Sequence, residues 1–170
     1  WTINYDMYFG TKDGAGADGM AFVMHTDTRG LGAVGNPGRG IGYGTYAGAP
    51  LSPVSPSVAI EFDTWQNQTC TTLVDCDTGI WDPSYDHSSV HLNGDANEAN
   101  SPTGYVQTSS TNANIEDSAY HRVTIAWNTG TKTLTMSFDS VARLSYTNAT
   151  LISGLFGGTC LTYTDMALFQ

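Results

Sequence analysis

Nine consecutive residues, Ser57 to Trp65, constrain this chain more than any others. Val58, Ile60 and Phe62 alternate with Ala59, Glu61 and Asp63, which is the two-residue period of a β-strand. One face of that strand is apolar, and the other carries two carboxylates. Two acids so close on one face must be compensated. Either a cation sits beside them, or one is a proton donor with a raised pKa and the chain is a hydrolase. A second oxygen-rich run, Trp81-Asp82-Pro83-Ser84-Tyr85-Asp86-His87, follows across a polar loop. Glu61, Asp63, Asn67, Asp82 and His87, with main-chain carbonyls, supply enough donors for a hard-cation site, and the imidazole admits a transition metal next to it.

What surrounds this strand points to an all-β domain. The 170 residues suit a single domain, expected to span 1–170, with a sizeable core. Nineteen glycines, many Ser, Thr and Asn, and no sustained helical periodicity suit short strands joined by tight turns. With 16 acidic against six basic residues the formal charge is −10, which argues against nucleic acid or an anionic membrane as partner, since both require a basic face. Part of that charge sits near the expected cation site, in Glu61, Asp63, Asp75, Asp77, Asp82 and Asp86. No apolar run approaches the roughly 20 residues that span a bilayer, so membrane insertion is not expected. No signal peptide is read, and the chain opens at Trp1 inside an expected strand, which suggests a trimmed N-terminus. Cys70 and Cys76 share one short polar loop and can close it in an oxidising compartment, leaving Cys160 odd.

In chain order, Trp1 to Phe9 reads as a strand with Ile3, Tyr5, Met7 and Phe9 on one face, and Met20 to Met24 as a short buried strand. Gly30 to Pro56 is dense in glycine and proline around Gly38-Arg39-Gly40-Ile41-Gly42-Tyr43-Gly44. No helix with a Lys-Ser/Thr start follows, so turns and close backbone approach explain those glycines better than a phosphate loop does. His87 to Asn93 resumes the alternation, and Asp95 to Asn114 is polar and expected to be loop. His121, Val123, Ile125 and Trp127 then alternate with Tyr120, Arg122, Thr124 and Ala126. The turn Asn128-Thr129-Gly130-Thr131 leads into a strand with Leu134, Met136 and Phe138 on one face.

Five runs, in order, resemble the L-type (legume-lectin-like) lectins, and within them the bacterial cell-surface branch. They are Ala17-Asp18-Gly19-Met20-Ala21-Phe22, Gly38-Arg39-Gly40-Ile41-Gly42, Val58 to Asn67, Asp82 to His87, and the Trp127 hairpin. The resemblance implies a concanavalin-like jelly-roll sandwich of two antiparallel sheets, with sugar in a shallow site beside the metals. Carried over by position, it makes Asp63, the Trp65 carbonyl, Asn67 and Asp82 the ligands of Ca2+. It makes Glu61, Asp63, Asp82 and His87 the ligands of a second, Mn2+-like ion, the alternative for His87 being a hydrogen-bonded strand residue. It also implies a cis peptide between Ala17 and Asp18. Two departures stand out: a longer insertion between Asn67 and Asp82 than in plant members, and a stretch from Phe156 to Gln170 without the family's usual run.

A pyranose offers vicinal hydroxyls and a face of C–H groups, so its site wants a carboxylate acceptor, an amide donor, a backbone N–H and an aromatic plate. Asp18, Asn67, Gly38 or Arg39, and Trp65 fill those four roles. For three of them a plainer role competes: Asp18 as a turn residue, Trp65 as core, Arg39 as a solvated cation. The enzyme alternative is a jelly-roll glycoside hydrolase with Glu-x-Asp-x-x-Glu on one strand. Here that pattern ends at Gln66, which cannot donate the catalytic proton. A calcium-stiffened adhesin module without a sugar site would account for the acids and leave Asp18 and Trp65 without a task. The expected function is therefore non-enzymatic, calcium-dependent binding of cell-surface glycans or glycoproteins by a secreted or cell-surface domain.

Overall fold

A computed structural model describes residues 1–46, 48–67 and 82–149, together with the backbone of 166–169. The expected Cys70–Cys76 pairing, Cys160, Trp81, Asp75 and Asp77 lie outside the described residues. Nine strands are described: β1 (Thr2–Tyr8), β2 (Gly19–His25), β3 (Ser57–Asp63), β4 (His87–Leu92), β5 (Tyr105–Gln107), β6 (Tyr120–Asn128), β7 (Thr133–Phe138), β8 (Val141–Thr147) and β9 (Met166–Phe169). They form two antiparallel sheets, β1-β6-β7-β8 and β5-β4-β3-β2-β9, a jelly-roll sandwich as expected. Among the described residues no helix is long and apolar enough to cross a membrane.

The alternating residues meet between the sheets. Phe22 and Met24 of β2, and Val58, Ile60 and Phe62 of β3, face Val123, Ile125, Trp127, Leu134, Met136 and Phe138 of the opposite sheet. At roughly 25 cal/mol per Å² of apolar surface removed from water, this layer is the main stabilising contribution. The hairpin between β6 and β7 is closed by Asn128, whose Oδ1 accepts the N–H groups of Gly130 and Thr131.

The outer face of the five-stranded sheet is covered as well. Ala21, Val23 and Ala59 pack under Ala33, Ile41, Tyr43 and Val54 of the long β2–β3 connection. Small side chains on the sheet let that connection lie close. Asp27 and Arg29 staple it: Oδ1 of Asp27 accepts from Nε of Arg29 at 2.9 Å, and the guanidinium continues to the carbonyls of Val34 and Pro53. The glycine-dense run makes tight turns, as expected, with Gly35 packed so closely on Tyr43 that an added Cβ would fall 2.4 Å from its carbonyl oxygen. Covering both faces explains why every residue of β3 is buried, Glu61 and Asp63 included.

The structure departs from expectation in three strands. β5 and a 3-10 turn at Glu98–Asn100 lie in the stretch read as loop, β8 follows Ser140, and β9 pairs with β2. β8 buries only Leu144, so its sequence carries little alternation.

Candidate functional site

Strand register assembles a polar strip under the covering connection. Glu61 pairs with Ser89, Asp63 with His87 and Ala59 with His91, which sets the side chains of His87, Ser89 and His91 beside those of Glu61 and Asp63 on one face. Glu61 is 2 % exposed, and its Oε2 accepts the Tyr43 hydroxyl at 2.5 Å. Burial pushes Glu61 up to about 7, with Glu98 adding to the rise and His91 and Tyr43 opposing it. Burial and the neighbouring Glu61 likewise raise the Tyr43 phenol well above its usual value.

Glu98 completes the strip and was not anticipated. Asp95 positions it, accepting from the N–H of Asn97 and the amide of Asn100, while Asn97 caps the turn at the N–H of Ala99. Oε1 of Glu98 accepts from the Ser89 hydroxyl at 2.9 Å and lies 3.2 Å from Nε2 of His91 and 3.4 Å from Nε2 of His87. Burial raises the Glu98 pKa, but the two imidazoles outweigh it and hold the carboxyl below the usual range. In His91 burial lowers the pKa, but Glu61 and Glu98 prevail and lift it to about 9. A signal existed for the histidines: His87, Ser89 and His91 are polar at a period of two on one strand. Nothing local marks Glu98 as their partner.

At its open end the strip runs into the loop after β3. Asp63 Oδ1 accepts the Trp65 N–H at 2.7 Å, and Asp82 Oδ2 accepts the Asn67 N–H at 2.8 Å, so two carboxylates fix the backbone carrying Trp65 and Asn67. Gln66 donates to the Asp82 carbonyl. Burial raises the pKa of Asp63 far above normal, with Glu61, Asp82 and Glu98 adding to it; burial also raises that of Asp82. Crowded, buried carboxylates with raised pKa values fit a site for a divalent cation, and an oxygen-only set fits a hard one such as calcium. Asp63, Asn67, Asp82 and the Trp65 carbonyl are the groups that would hold it.

Asp18 comes to this end through Gly19, which pairs with Asp63, and its carbonyl accepts the Thr64 N–H. The Ala17–Asp18 peptide is cis, as the resemblance implies. Burial raises the pKa of the half-buried Asp18 carboxyl, and a Cβ on Gly38 would lie 3.7 Å from its Oδ2. Trp65 is 38 % exposed, so it is a surface plate rather than core. A recess of about 240 Å³ between Asp13 and the Pro83–Asp86 segment carries Trp65 and Gln66 on its wall. Arg39 is half-buried with its guanidinium 4.2 Å from the centre of the Tyr46 ring, a packed cation rather than a solvated one. Asp86 faces elsewhere, its Oδ2 accepting the Ile115 N–H.

The structure thus sets an acidic, partly aromatic site at one end of the five-stranded sheet of a two-sheet jelly roll. The family model of the legume lectin beta-barrel domain matches residues 1–167, and the chain belongs to that family. Similar solved structures include the basic winged bean lectin with Tn-antigen, at 20% identity and TM-score 0.59 over 88% of this chain and 54% of that one. Lectin II from Ulex europaeus matches at 18% identity and TM-score 0.57, over 86% and 56%. The winged bean acidic lectin complexed with methyl-alpha-D-galactose matches at 18% and 0.56, over 93% and 56%. The chain thus spans little more than half the length of these lectins.

Proposed function

We propose that this domain binds glycans without catalysis, in a site whose shape depends on calcium. The observation that carries the reading is the meeting of Asp18, Gly38, Trp65 and Asn67 around Asp63 and Asp82. These supply an acceptor, backbone and amide donors, and an exposed aromatic plate, next to buried acids suited to a cation. Winged bean lectins solved with Tn-antigen and with methyl-alpha-D-galactose support sugar as the ligand class. In this reading calcium is held by Asp63, Asp82, Asn67 and the Trp65 carbonyl, and supplies rigidity rather than chemistry. The second, manganese-like ion that the resemblance implies would take Glu61, Asp63, Asp82 and His87. Its partners are glycans or glycoproteins at a cell surface, and its setting is extracellular, in the manner of bacterial surface lectins.

The hydrolase reading is disfavoured by access as well as by Gln66. Glu61, the one glutamate of the Glu-x-Asp pattern, is sealed beneath Tyr43, where a saccharide cannot reach it. The test is a glycan array followed by calorimetry on the best ligand with Asp18→Asn. The substitution keeps the size and replaces an acceptor with a group that also donates toward hydroxyls arranged to donate, which costs about 1–3 kcal/mol or more of binding. Unchanged affinity would remove Asp18 from the site.

A further inference from the structure

We propose a separate transition-metal site inside the covered polar strip, formed by Glu61, His91 and Glu98. One donor atom from each of these three lies within 4.8 Å of the others, and all three residues are buried. The imidazole is oriented for ligation: His91 Nδ1 lies 2.7 Å from the Asp95 carbonyl, so Nδ1–H donates outward and Nε2 faces the carboxylates. A backbone carbonyl on the far nitrogen is the usual way a protein fixes the tautomer of a ligating histidine.

Two further atoms point to a missing partner. Oε2 of Glu98 and Nε2 of His87 are both buried without a hydrogen bond, and the latter stands 3.4 Å from Oε1 of Glu98. A cation among Glu61, His91 and Glu98 satisfies the Glu98 oxygen, with the His87 nitrogen bordering the cluster. Imidazole and carboxylate together select a zinc-class divalent ion over calcium, which takes oxygen only. This set shares only Glu61 with the arrangement of Glu61, Asp63, Asp82 and His87. The ion therefore sits deeper than one held by Glu61, Asp63, Asp82 and His87, and leaves Asp63 and Asp82 to the outer cation. The inference is independent of sugar binding and shares no ligand with the calcium site.

The test strips the chain with chelator, then measures Zn2+ binding by equilibrium dialysis with metal analysis for the wild type, His91→Gln, Glu98→Gln and Asp82→Ala. The wild type is expected to take up one equivalent at micromolar free Zn2+. His91→Gln and Glu98→Gln should weaken that at least tenfold, while Asp82→Ala retains it even if glycan binding is lost. Where either strip variant fails to fold, anomalous scattering at the zinc edge from wild-type crystals decides. A peak in coordination range of His91 Nε2 and Glu98 supports the site. A peak between Asp63 and Asp82, no peak, or uptake lost in Asp82→Ala and kept in His91→Gln overturns it, the cluster then being a metal-free ion pair.

Discussion

Glu116 shows what burial does to a single carboxyl. Its Oε2 is sealed and unpartnered, and its Oε1 lies against Gly16, where an added Cβ would also fall 2.5 Å from the Lys12 carbonyl oxygen. Burial, with Asp86 and Asp13 nearby, raises its pKa from 4.5 to about 7. For an acid shifted upward, the unfolded chain gives up its proton first. Glu116 therefore destabilises the fold fully above pH 7, less between 7 and 4.5, and not below 4.5. Glu116→Gln should raise the melting temperature at pH 8, by about 2–4 °C for each kcal/mol relieved. The gain should vanish by pH 4, and thermal scans across that range check it; an equal gain at both pH values would show that charge is not the cause. None of this was legible in the sequence, where Glu116 is one acid in a polar stretch. Glu61, Asp63 and His87 were legible because strand alternation placed them, and Asp18 through the resemblance, whereas Glu98 reaches the strip by a fold-back that only the assembled sheet reveals.

Strands with a packed face announce themselves, and those without do not. β3, β6 and β7 were readable because apolar residues return every second position to one core. β5 has only three residues and β8 a single buried one, so both owe their form to the neighbour they pair with rather than to their own pattern. The start of β2 is set by close approach. Gly19 has φ +147, and a Cβ there would fall 2.1 Å from the Phe62 carbonyl oxygen, squarely on the β3 backbone. Gly19→Ala must therefore push β2 and β3 apart at the Gly19–Asp63 pair, costing about 1–3 kcal/mol as overpacking does, with further cost from the unfavourable φ. Denaturant unfolding should show that loss, and glycan affinity should fall with it because Asp18 and Asp63 separate. An unchanged midpoint would mean the strands part freely.

For the molecule as a whole, the arrangement divides labour between a rigid sandwich and one acidic corner, where the proposed calcium would sit. The core between the sheets owes nothing to the acids, so the fold should outlast the loss of calcium. The corner should not. Asp63 and Asp82 already hold the backbone of Trp65 and Asn67, so whatever holds those two carboxylates in place also holds the aromatic plate and the amide donor. In the proposed calcium site, removing the ion would leave crowded acids to repel one another, and both proposed sugar contacts would loosen together. Titrating glycan binding against free calcium should therefore give a steep dependence with the far-ultraviolet spectrum unchanged. The melting temperature should rise with calcium as RT ln(1 + [L]/Kd) requires. Asp82→Ala, which removes a proposed ligand and the acceptor for the Asn67 N–H, should need far more calcium or fail to bind glycan at any concentration. Lowering the pH should act in the same direction, because the ligand carboxylates must be ionised to hold the ion. Full glycan binding in excess EDTA, with metal analysis showing no calcium, would separate recognition from the cation and leave the buried acids to a purely structural role.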